Sequence, residues 1–131
     1  MLLLWIMAAS GVHSKQVHEL RSFLDYFEPL MEFMASLPPE EGVVLVGHSM
    51  GGIDVSVAME KFPEIISAGV FATATMPGPD FDYKTISRKD LIPTLARRPF
   101  PLRIHDDGGT QNVVVTKEKY GSVPRIYIVC G

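Results

Sequence analysis

Ser49 stands in Gly47-His48-Ser49-Met50-Gly51-Gly52, a G-x-S-x-G with one further glycine behind it. The residues before it, Val43-Val44-Leu45-Val46, are apolar and three of them are β-branched, which reads as a buried strand. Ile53 to Phe62 reads as a helix. Strand, sharp turn and helix form the context in which such a serine becomes a nucleophile elbow. The turn holds the serine in a strained backbone conformation, and Gly47 and Gly51 are expected to let strand and helix approach without Cβ clashes. The helix that follows turns its free N–H groups and the positive end of its dipole toward the serine. The Met50 backbone N–H is therefore placed to donate to an oxyanion. The chemistry this allows is attack of a hydroxyl on a carbonyl.

A serine hydroxyl needs a base within hydrogen-bond reach and an acid that orients the base. On folds that use this elbow the chain order is Ser, then Asp or Glu, then His. One histidine follows Ser49, and it is His105. The sole in-order set is therefore Ser49, Asp80 or Asp82, and His105. Asp80 lies just past an apolar strand pattern, where an orienting acid could sit. His105 precedes Asp106-Asp107-Gly108-Gly109, which is turn chemistry, and a histidine in a surface loop is the plainer reading. His48 adjoins the nucleophile and should point away from the site. His13 and His18, near a helix entry, read as solvent-facing or capping. A metal site at His105-Asp106-Asp107 would need more ligands than the chain offers there, so no metal is expected.

The elements that must position Ser49 alternate along the chain. Leu2 to Met7 reads as a strand closed by Ala9-Ser10-Gly11. Ser14 is a candidate N-cap for a helix whose apolar residues Val17, Leu20, Leu24, Phe27, Met31 and Met34 recur at three- and four-residue steps. Pro29 should kink or split that helix, and Leu37-Pro38-Pro39 should end it. After the elbow helix, Lys61-Phe62-Pro63-Glu64 is a stop and Ala68 to Ala74 reads as another buried strand, ended by the turn Met76 to Asp80. Strand, helix, strand, helix, strand is the signature of an α/β fold with a parallel sheet and flanking helices. From Phe81 to Thr116 the pattern weakens, with a short helix expected over Asp90 to Arg98. Arg125 to Cys130 is a final apolar strand in which Cys130 reads as buried filler.

With 131 residues the chain suits one domain. It divides into 1–80 (core with the elbow), 81–116 (cap remnant and loop) and 117–131 (late core strand). A net charge of −3 without a long basic run argues against nucleic acid or an anionic membrane as partner. One cysteine cannot form an intrachain disulfide, which fits a reducing, cytoplasmic compartment. Met1 to Ala9 is too short to span a bilayer and lacks the basic flank of a signal peptide.

These residues resemble the plant methylesterase family of α/β hydrolases, which includes salicylic-acid-binding esterases, polyneuridine aldehyde esterase and the α-hydroxynitrile lyases. The match runs through Val43 to Gly52, Ala58-Met59-Glu60-Lys61-Phe62-Pro63, Ala8 to Gly11, Leu24-Asp25-Tyr26 with Pro29-Leu30-Met31, and Lys119 to Cys130. The resemblance implies that Ser49 is the nucleophile and the Met50 N–H an oxyanion donor. It implies a serine carboxylesterase acting on methyl esters of small plant acids of the salicylate, jasmonate or indole acetate type. A small-molecule ester or carboxylic acid is the expected ligand, and self-association stays open.

The resemblance also places three family parts outside this sequence: the early strand with its His-Gly loop, the orienting Asp and the catalytic His. Most of the cap is skipped between about Ser87 and Asp90. The expectation is thus a partial α/β-hydrolase core with an incomplete cap, weakly active or inactive and of marginal stability. Two other readings are a non-catalytic remnant that binds a small acid or a paralogue, and a hydroxynitrile-lyase-like protein.

Overall fold

The computed structural model describes residues 23–79 and 114–129. The strand expected over Leu2 to Met7, the Ser14 cap, His13, His18, Asp80, Asp82, the helix expected over Asp90 to Arg98, His105 and Cys130 lie outside the described residues. Helix α1 (Phe23–Ser36) buries Phe27, Leu30 and Met34, one stripe at three- and four-residue steps. Leu30 takes the place foreseen for Met31, which is only half-buried. Pro29 lies inside α1 without dividing it. Proline removes one helical hydrogen bond, and the packed stripe on either side outweighs that loss.

Strand β1 (Val43–Ser49) leads into α2 (Gly51–Lys61) and then β2 (Ile66–Ala74). The chain returns through a 3₁₀ turn (Tyr120–Ser122) into β3 (Arg125–Ile128). The sheet order is β1-β2-β3 and both pairings are parallel. A parallel pair needs a crossover, and α2 supplies it between β1 and β2. The expected stop at Phe62-Pro63 is observed, with the Phe62 N–H closing on the Ala58 carbonyl at 2.8 Å.

The core lies on the α2 side of the sheet. Ile53, Val55 and Met59 from α2 join Phe71 and Ile66 from β2 and the α1 stripe. Val115, Tyr120 and Val123 enter the same cluster, so the late segment is part of this core.

The opposite face departs from the sequence reading. β1 reads from sequence as buried and the last strand as apolar, yet Val44 and Val46 are 57% and 59% exposed and every residue of β3 is exposed. The register sets Val44 beside Ala68, Val46 beside Val70 and Ile126, and His48 beside Ala72 and Ile128. A continuous apolar run suits a strand covered on both faces. Among the described residues, helices cover one face only.

Candidate active site

The last residue of β1 is Ser49, and its φ of 54° lies in the left-handed region. One residue later Met50 caps α2 at φ −63° and ψ −24°, and its carbonyl accepts the Ile53 N–H at 2.9 Å. Strand therefore becomes helix within two residues, with an exposed serine at the bend. No side chain caps α2, so its N-terminal end is left to backbone and solvent. That end presents partial positive charge beside Ser49, where an oxyanion would develop.

Close packing explains two of the glycines. A Cβ on Gly47 would stand 2.5 Å from the Gly51 carbonyl oxygen, and one on Gly52 would overlap the Thr75 carbonyl oxygen. Gly51, expected to be needed for close approach, has room: its nearest neighbour would be Asp54 Oδ2 at 3.8 Å. The crowding falls on Gly52 because β2 closes over that side of the turn. Thr75 N–H donates to the Ser49 carbonyl at 2.9 Å, and the Ser56 hydroxyl donates to the Gly52 carbonyl at 2.7 Å. At the same end of the sheet Tyr127 on β3 donates its hydroxyl to the Ala74 carbonyl at 3.0 Å.

Asp54, in the first turn of α2, is buried at 5% exposure. Its Oδ1 has no hydrogen-bond partner among the described residues. Desolvation pushes its carboxyl up from 3.8 to about 7. Burial thus keeps this carboxyl protonated well above the ordinary carboxylate range, which lowers the negative charge beside the helix end next to Ser49. The sequence reading passed over Asp54, although an acid set among Ile53, Val55 and Val57 is a signal in itself. Thr73, opposite the elbow at φ 45°, was also missed, and no residue pattern announces it.

Of the residues proposed from sequence, the structure brings Gly47, Ser49, Met50, Gly51 and Gly52 together at one turn. His48 is exposed and shares the face of Val44 and Val46, so it is directed away from the α2 side. It is the one histidine among the described residues. Asp80 and His105 lie outside those residues. No group of three His, Cys, Asp or Glu among the described residues could hold a metal ion. No described helix is long and apolar enough to cross a membrane.

The alpha/beta hydrolase family profile matches residues 10–124. Methyl jasmonate esterase 1 of Vitis vinifera is 38% identical over 170 residues, which takes in 95% of this chain and 65% of that protein. Salicylic acid-binding protein 2 of Nicotiana tabacum is 34% identical over 171 residues, with 95% and 65% covered. The crystal structure of tomato methylketone synthase I complexed with 2-tridecanone superposes with a TM-score of 0.81 at 32% identity, over 94% of this chain and 65% of that one. The chain thus spans about two thirds of the length of these relatives. The matched stretches are longer than the 131 residues of the chain, so the alignments pass over residues for which this chain has no counterpart.

Proposed function

Because the chain belongs to the alpha/beta hydrolase family, as a relative of plant methylesterases, we propose that its elbow serves hydrolysis of methyl esters of small plant acids. The observation that carries this reading is the left-handed Ser49 at the junction of β1 and α2. In the proposed reaction the Ser49 hydroxyl attacks the ester carbonyl and its proton passes to a base. The tetrahedral oxyanion draws on the Met50 N–H and the end of α2, and methanol leaves with the proton. Water then releases the acid from the acyl-enzyme by the same route in reverse. The names of the relatives support jasmonate and salicylate as acid types. No metal or cofactor has a role in this scheme.

The base decides the rate. His48 is on the wrong face for it, which leaves His105, with Asp80 to orient it, as the candidate pair. Neither fills the place that the family pattern reserves for base and acid, so weak activity is the expectation. The deciding test is intact-mass labelling with a fluorophosphonate beside Ser49→Ala and His105→Ala. Such a probe bonds to a serine only where a base takes its proton. A single adduct that both substitutions abolish supports the scheme. Absence of any adduct on the parent chain overturns it and leaves a non-catalytic fold that binds a small acid as the standing reading.

A further inference from the structure

Ser49 and Thr73 are the two non-glycine residues at positive φ among the described residues, at 54° and 45°. They face each other across β1 and β2. The register pairs His48 with Ala72 and Ser49 with Ala74, so Thr73 is the extra residue of a bulge opposite the nucleophile. A β-branched residue in the left-handed region is a true outlier, held there only because the surroundings over-determine it. The ladder also shifts once at its start, between Val43 and Val44; from Val44 to His48 the two strands pair residue for residue, and the second shift comes at Thr73.

The bulge has a definite effect on what reaches the elbow. It carries the end of β2 one residue further, so that Thr75 meets the turn. The Thr75 N–H donates to the Ser49 carbonyl at 2.9 Å. The carbonyl of the same residue lies against Gly52, where a Cβ would overlap it. One residue therefore holds the strained turn at two points, the carbonyl of the exposed serine and Gly52 three residues on. A left-handed serine is itself costly, and α2 alone does not fix it, because Met50 already has helical angles.

We propose that Thr73 is a positioning residue of the elbow, whose left-handed bulge delivers Thr75 to Ser49 and Gly52 and so fixes the backbone of the nucleophile. The consequence for rate rests on the esterase reading above; the clamp is a property of the folded chain. What the clamp asks of position 73 is tolerance of positive φ. Glycine should serve there at least as well as threonine. Isoleucine should serve less well, and proline, locked near −65°, should not serve at all.

The test is amide hydrogen exchange read by NMR at Thr75, with the Val70 amide in mid-β2 as internal reference. Thr73→Gly is expected to hold or raise protection at Thr75. Thr73→Ile should lower it several-fold and Thr73→Pro on the order of tenfold or more, with Val70 unchanged, as local opening predicts. Should the proline variant fail to fold, the isoleucine and glycine variants decide. Equal Thr75 protection in those two overturns the proposal, and so does loss of protection in Thr73→Gly. Fluorophosphonate labelling at Ser49 should follow the same order. A parent chain that takes no label removes the esterase reading, while the exchange order still decides the clamp.

Discussion

The carboxyl group of Glu60, near the end of α2, accepts the Thr116 backbone N–H at 2.8 Å and the Thr116 hydroxyl at 3.0 Å. The Tyr120 N–H reaches the same group at 3.3 Å. Thr116 in turn accepts the Lys119 N–H, which shapes the turn ahead of β3. One acidic side chain on the elbow helix thus orders the segment that brings in Tyr120, Val123 and the third strand. Tyr120 is buried at 2% exposure, and the Arg125 guanidinium lies 4.6 Å from its ring centre while donating to its carbonyl.

Removing that acceptor should loosen β3 from the helix. Glu60→Ala leaves two backbone donors and a hydroxyl without their partner in a half-buried place. The expected loss is about 1–3 kcal/mol, the range for an orphaned donor. Glu60→Gln keeps one acceptor oxygen and should lose less. Urea unfolding checks this: the midpoint should fall for both, further for alanine, with little change in slope. An alanine variant with the parent midpoint would show that the contact contributes nothing.

The two glycines after Met50 should respond in opposite ways to one added methyl group. Gly52→Ala drives a Cβ into the Thr75 carbonyl oxygen, a backbone atom that cannot swing aside. Overpacking of this kind costs about 1–3 kcal/mol and occasionally more. Gly51→Ala meets nothing nearer than 3.8 Å and should be neutral or slightly stabilising. Thermal unfolding of the pair is the measurement. Equal melting temperatures would mean that β2 does not close over the turn as described.

This pair also marks how far the sequence could be read. The elbow, the helix after it, its stop at Phe62-Pro63 and the parallel order follow from apolar periodicity and turn chemistry, which are local properties. The choice between Gly51 and Gly52 is not local, because it depends on where the end of β2 comes to lie. The Thr73 bulge is hidden for the same reason: Ala72-Thr73-Ala74 carries no glycine or asparagine to announce a positive φ. Exposure of Val44 and Val46 was illegible because a run of valines reports the strand but not what covers it. For a base the sequence offers only chain order, which points to His105, a residue outside the described ones.

Burial of Asp54 makes stability depend on pH in a definite direction. The unfolded carboxyl titrates near the ordinary 3.8 and the folded one at about 7. Between those values the unfolded chain has released a proton that the folded chain keeps. The unfolded state then binds fewer protons, and stability falls as pH rises. Above pH 7 the fall levels off. At about 1.4 kcal/mol per pH unit the whole effect is about 4 kcal/mol. Asp54→Asn removes the ionisation, so its stability curve should lack this slope. The variant should exceed the parent in urea midpoint at pH 8 and approach it at pH 5. A parent curve flat between pH 4 and 7 would overturn the assignment.

The apolar face formed by Val44, Val46, Val70, Ile126 and Ile128 should behave as surface, although its residue types are those of a core. Val46 is 59% exposed, whereas Ile53, across the sheet under α2, is 1% exposed. Apolar area left in water adds none of the roughly 25 cal/mol per Å² that burial supplies. A chain with such a face should be weakly stable for its length and should bind a fluorescent apolar dye while still folded. Val46→Thr keeps the β-branch and should change stability by no more than about 0.5 kcal/mol. Ile53→Ala removes buried volume and should lose about 2–5 kcal/mol. If Val46→Thr proves as damaging as Ile53→Ala, the face is covered in solution, and the low stability expected of this chain goes with its exposure.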